Sequence, residues 1–218
     1  MVKKIAQILL LAVIVGLTYY IFQEVSTPIK FEEDLKSKQT QVIDRIKDIR
    51  TAQRAFKSKY QRFTSTFDSL AEFILNDSLV LERKLVDEDD SVGMARLKRL
   101  KKKNIEQFKV AVIDTIFNER GIVRRMTEQD VYNLRFVPGT NNKVQYTMNA
   151  GIVTTESKIV IPVVEVKVAY QQFLDTVKYR QEVINLVNDE ALKMYNKFPG
   201  IKFGSMETGN NEAGNWED

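Results

Sequence analysis

The chain has 218 residues, 44% of them hydrophobic and 28% charged, with nine Gly and four Pro, a composition that excludes collagen-like, low-complexity and wholly disordered readings. It contains no His and no Cys, which removes imidazole acid–base catalysis, thiol nucleophiles, disulfides and the usual zinc sites. A total of 33 Lys and Arg against 29 Asp and Glu leaves +4, too small an excess to point to nucleic acid.

Residues 5–22 carry no charged side chain. Ile5, Leu9, Leu10 and Leu11, then Val13, Ile14, Val15, Leu17 and Phe22, form an apolar stretch interrupted only by Gln7, Thr18, Tyr19 and Tyr20. As a helix its 18 residues reach roughly 27 Å, close to the ~30 Å hydrocarbon thickness of a bilayer. Lys3 and Lys4 precede it, and the first cation beyond it is Lys30. The positive-inside rule then predicts a single-pass protein of the bacterial inner (cytoplasmic) membrane, with the N-terminus cytoplasmic, the remainder periplasmic, and Tyr19 and Tyr20 at the outer interface. A secretory signal has the same charged start and apolar middle but needs small residues before the cut. Cleavage after Ser26 would place Glu24 at the third position before the cut, and cleavage after Thr27 would place Pro28 directly behind it. An uncleaved anchor over residues 1–23 is therefore expected, and a chain without Cys suits the oxidising compartment outside.

Residues 24–63 read as a linker followed by a long amphipathic helix. Thr27 and Pro28 are expected to break it from the anchor, because Pro disfavours helix in the residue before it. Leu35, Val42, Ile49, Phe56 and Phe63 recur every seven residues, with Ile46 and Tyr60 at intermediate sites and Gln39 and Gln53 interrupting. Such a seam needs a cover, either a second copy in a parallel coiled coil or the protein's own sheet. The large aromatics and the two Gln favour the sheet.

Residues 64–206 read as an α+β domain. A short helix is expected over 68–76, capped by Ser65 or Thr66, with Phe67, Leu70, Phe73 and Ile74 inward. Strands are expected over 78–86, 108–117, 133–138, 143–148 and 159–170, with "PGTNNK" as a hairpin turn and 149–158 as another hairpin. Val164, Val166 and Val168 alternate with Glu165, Lys167 and Ala169, as in a half-buried antiparallel strand. Residues 171–174 and 188–197 read as helical and 201–205 as a last strand. The sum is a long helix packed on an antiparallel sheet.

The segment "IRTAQRAFKSKYQRFTSTFDSLAEFI", residues 49–74, follows an apolar helix that runs into an amphipathic one. Ile49, Ala52, Ala55, Phe56, Tyr60, Phe63, Phe67 and Leu70 resemble the pattern of type IV pilins and type II secretion pseudopilins. The resemblance covers about 26 residues and the general layout, and it implies a pilin-like fold and self-association in a filament. The prepilin peptidase motif of that family is not matched: Gly16 lies inside the apolar stretch, and the fifth residue after it is Ile21.

Asp87, Glu88, Asp89 and Asp90 precede Arg96, Lys98, Arg99, Lys101, Lys102 and Lys103. Lys101, Lys102 and Lys103 are candidates for docking an anionic partner, set against a solvated loop whose halves neutralise each other. The acidic run lacks calcium-loop spacing, and no phosphate loop or nucleophile elbow occurs. No catalytic, metal-binding or cofactor-binding residue is assigned, and no enzyme activity, cofactor, small-molecule substrate or nucleic acid is expected. Residues 207–218 form a polar tail whose Trp216, the single tryptophan, either anchors in a partner groove or tucks onto its own domain. The expected partners are the lipid bilayer and either another envelope protein or further copies of the chain.

Overall fold

The computed structural model describes residues 2–118, 125–189 and 197–217. Helix α1, Val2–Tyr60, runs 59 residues without a break, about 90 Å at 1.5 Å per residue. The expected interruption at Thr27 and Pro28 does not occur. Pro28 removes one backbone donor from an exposed turn, where water can reach the freed carbonyl. The Thr27 hydroxyl donates to the Gln23 carbonyl at 2.8 Å and ties that turn from the side. Helix already propagated on both sides makes continuing cheaper than starting a second nucleus.

From Phe31 onward α1 is the spine of the core. Phe31, Val42, Ile46, Ile49, Ala52 and Phe56 are buried, and Leu35 packs against them half-buried. Two expected seam residues depart from the helical stripe. Tyr60 is 45% exposed, its ring lying against Phe56 and its hydroxyl donating to Asp77 at 2.7 Å. Phe63 is buried but lies beyond the helix, which ends at Gln61 in the left-handed region (φ 57°).

Helix α2, Phe67–Asn76, follows with Leu70, Ala71, Phe73 and Ile74 buried. Strands β1, Ser78–Lys84, and β2, Ile105–Ala111, pair antiparallel, with helix α3, Ser91–Arg99, inserted between them. The strand expected over 108–117 stops early, and residues 114–118 wind into a π-helical turn. Winding puts Val112, Ile116 and Phe117 into the core together, which alternation would not do.

The strand expected over 133–138 is replaced by helix α4, Glu128–Tyr132, and a 3₁₀ turn, Asn133–Arg135. A reciprocal cap nucleates α4: the Thr127 hydroxyl accepts from the Asp130 N–H, and the Asp130 carboxylate accepts from the Thr127 N–H at 2.9 Å. "PGTNNK" still turns the chain, but only Phe136 and Gln145 pair across it. The main hairpin is β3, Thr147–Thr154, with β4, Val160–Ala169, so the strand expected over 143–148 is shifted toward the C-terminus. Helices α5, Tyr170–Phe173, and α6, Arg180–Asn188, follow. The helix expected over 188–197 falls for the most part outside the described residues; α6 ends where it was to begin. Strand β5, Gly200–Gly204, pairs antiparallel with β4.

Strand β5 of the sheet β3–β4–β5, together with α2 and the turns at 114–118 and 133–135, covers the seam of α1. Val164, Val166 and Val168 point inward as the alternation predicts, beside Met148, Ile201 and Phe203. The Tyr146 hydroxyl donates to the Val42 carbonyl at 3.3 Å, and burial pushes that phenol above the usual tyrosine range. Thus the chain's own sheet, joined by α2 and two turns, fills the seam without a second copy.

Candidate functional site

Three surfaces lie along α1, and each begins with what the helix presents at that level. The first is the apolar stretch. Ile5, Leu9, Leu10, Leu11, Val13, Ile14, Val15, Leu17, Tyr19, Tyr20 and Phe22 are all exposed. A large aliphatic side chain left in water forgoes roughly 1.5–3 kcal/mol relative to burial, so a run of them on every face is built for an apolar solvent. This is the one helix among the described residues long and apolar enough to cross a membrane. Lys3 and Lys4 lie exposed just ahead of it.

The second surface is a collar where α1 leaves that stretch. Residues 170–179 fold back onto the helix: Gln39 Nε2 donates to the Tyr170 hydroxyl at 3.1 Å, and Lys38 Nζ to the Phe173 carbonyl at 3.3 Å. Tyr179 packs its ring tilted against Phe31, 5.3 Å between centres, and donates its hydroxyl to Asp34 Oδ2 at 2.6 Å. That bond, with Lys178 Nζ 3.5 Å from the same oxygen, holds the Asp34 carboxyl below its usual range. Asp175 is likewise lowered, by the N–H groups of Lys178 and Val177 that close a tight turn over it. Between helix and collar lies a cavity of about 330 Å³ lined by Tyr19, Phe22, Gln23, Ser26, Thr27, Lys30, Lys178 and Tyr179.

The third surface is the far end of α1, where an arm and a strap attach. Asp77 receives the Lys59 ammonium and the Tyr60 hydroxyl, and these bonds, that of Lys59 foremost, lower its carboxyl. The arm is the β1–β2 ribbon with α3 at its tip, and Lys101, Lys102 and Lys103 lie exposed in the turn leaving α3. The expected charged loop is therefore largely a helix. Asp90 caps its N-terminus, accepting from Val92 and Gly93, while Arg96, Lys98 and Arg99 occupy its last turn. The order of signs follows the helix dipole, with acid first and base last. Lys84 and Glu88 pair at 2.7 Å and Arg83 and Glu106 at 2.7 Å, so much of the charge is matched within the arm.

The strap is the polar tail. Trp216 lies half-buried on the protein's own surface, with the Arg50 guanidinium 5.6 Å from its ring. Glu212, 7% exposed, receives Arg54 and Lys57 at 3.1 Å each, and Glu217 receives Arg50 at 2.6 Å. Three cations spaced four and three residues apart form one stripe of α1, and the tail supplies the acids. Asn215 extends the strap along β5, accepting from the Lys202 N–H and donating to the Gly200 carbonyl. Gly204, at φ 75°, turns the chain into the strap; a Cβ there would lie 1.9 Å from the Val164 carbonyl oxygen.

One core residue is a polar clamp that heptad counting treated as an interruption. Gln53 is fully buried: its Nε2 donates to the Thr64 carbonyl at 2.7 Å and its Oε1 accepts from the Thr64 N–H at 3.2 Å. The amide completes both backbone groups of the turn after α1 and fixes its exit. A polar residue in phase with apolar neighbours was the available signal. Among the described residues, no group of three or more acidic side chains is placed to hold a metal ion. No family model, curated protein or solved structure matches this chain.

Proposed function

We propose that this is a single-pass cell-envelope membrane protein whose α+β domain, held outside the cytoplasm, serves as a structural or assembly partner of a membrane complex. One observation carries the reading: the exposed apolar helix and the spine of the core are the same unbroken helix, so the anchor has a rigid grip on the domain. Lys3 and Lys4 ahead of the apolar stretch support an N-terminus in the cytoplasm. The exposed arm with Lys101, Lys102 and Lys103 supplies a surface for a partner. A second reading is a pseudopilin-like subunit of a secretion or pilus-type filament. The same helix favours it, since a filament packs exposed apolar helix halves from successive copies.

Photo-crosslinkers at Leu10 and Ile14 in native membranes separate the two. Adducts to a different protein are expected for an assembly partner, and adducts between copies for a filament. Adducts to lipid alone would sink the filament reading; crosslinkers at Lys101 and Lys103 would then have to capture a different protein for the assembly reading to stand. The absence of Cys makes topology equally direct: a single cysteine at Ser91 should react with a membrane-impermeant maleimide in cells whose inner membrane is intact.

A further inference from the structure

From the collar cavity we infer that the protein binds the head group of an anionic phospholipid between its anchor helix and its domain, an inference that rests on the membrane-spanning reading above. The 330 Å³ cavity has two chemically different ends. Tyr19 and Phe22 line the end that continues the apolar stretch, and Ser26, Thr27, Lys30 and Lys178 line the end that adjoins the domain. Its charged lining residues are both cations. From Tyr19 to Lys30 the helix rises about 16 Å, enough to run from the edge of the hydrocarbon through the head-group layer.

The Lys178 ammonium lies 3.5 Å from Asp34 Oδ2 and also engages Tyr179, 4.4 Å from its ring centre, which leaves one of its three protons for a phosphate oxygen. Beside it Val177 is 92% exposed, an apolar tip on an otherwise polar turn. A phosphate between Lys30 and Lys178, with acyl carbon against Phe22 and Tyr19, matches each end of the cavity with its own kind of ligand. The Tyr179–Asp34 bond holds the second cation over the helix. The lipid would then fill the space between anchor and domain and fix how the domain stands on the surface.

The test uses the full-length protein in nanodiscs of phosphatidylcholine with a minor share of phosphatidylglycerol. After mild detergent stripping, native mass spectrometry reads the lipid retained. Retention of phosphatidylglycerol over phosphatidylcholine is expected, with each of K30Q and K178Q reducing it about fivefold. Lys30 is exposed on α1, so K30Q keeps the test independent of any loosening of the collar by K178Q. Unselective retention, or retention unchanged in both variants, would overturn the lipid site while leaving the anchor intact. Displacement by millimolar inorganic phosphate would overturn it in favour of a free-anion site. Failure to enter nanodiscs at all would remove the anchor reading and the lipid site with it.

Discussion

The two halves of α1 share one backbone and differ in what surrounds them. In the first, Leu9, Leu10 and Leu11 are 60–66% exposed, with neighbours apolar on every face. In the second, Val42, Ile46 and Ile49 are fully buried, while the opposite face carries charge. Hydrophobicity alone therefore does not place a residue in the core. Its angular distribution does: an all-round apolar helix has no preferred side for a sheet, whereas a single stripe has only one. The continuity through Pro28 transmits the packing of the second half to the first. A domain hung on a flexible linker could stand at any angle, and one built on the anchor helix cannot.

The sharpest way to break this comparison is to remove the same kind of side chain from each half. Ile46→Ala is expected to cost about 2–5 kcal/mol, because it deletes buried methyl groups and leaves a cavity. Ile14→Ala, at a position 53% exposed, should leave the melting of the detergent-solubilised protein unchanged. Equal melting shifts would show that the halves do not differ as described. Next in size is Gln53→Ala, expected to destabilise by about 1–3 kcal/mol, since both backbone groups of Thr64 lose their buried partner. Urea unfolding measures it, and a neutral result would mean that the clamp is replaced by water.

Glu212→Gln should cost less, about 1 kcal/mol, because its two cations are 48% and 35% exposed and solvent screens much of the attraction. Faster proteolysis of the strap, with the core unaffected, is the expected readout. The smallest effect belongs to the collar. Hydrogen bonding lowers the Asp34 carboxyl below its ordinary value of 3.8 in the folded protein. Its contribution is therefore complete above 3.8 and is lost as pH falls through the lower folded value. Hydrogen exchange of residues 170–179 should accelerate over that window, and Asp34→Asn should reduce the pH dependence to the part that Asp175 contributes from the same turn. Acceleration unchanged in Asp34→Asn would assign all of it to Asp175.

What could be read in advance sorts by the range of the interaction. The stripe on α1, the α2 helix and the alternating valines of β4 are periodic, the apolar stretch is one continuous run, and both kinds of signal are local. The errors lie where local signals compete. The run from Val110 to Phe117 is apolar but for Asp114 and Thr115 and has no clear period, and the core's need for Val112, Ile116 and Phe117 together decided it. Residues 128–135 were open to a better reading, since Thr127 and Asp130 have the spacing of a reciprocal cap. The same holds for Asp90 ahead of α3, with cations in its last turn. Gln53 and the strap were beyond such reading, because their partners lie far along the chain: Arg54 meets Glu212 at a separation of 158 residues.

By itself, the sequence determined that one helix begins apolar on all sides and continues with a single buried stripe, and that an α+β domain follows without His or Cys chemistry. Those properties depend on composition and on contacts a few residues apart. Tertiary structure decided that the helix runs unbroken through Pro28, that the chain's own sheet and α2 rather than a second copy cover the stripe, and that the tail returns to Arg50, Arg54 and Lys57. It also placed Lys178 and Lys30 on one cavity beyond the end of the apolar stretch. The continuity at Pro28 rests on the helix to either side of it; each of the other outcomes joins residues distant in the chain, where burial and charge pairing in the folded state outweigh local preference.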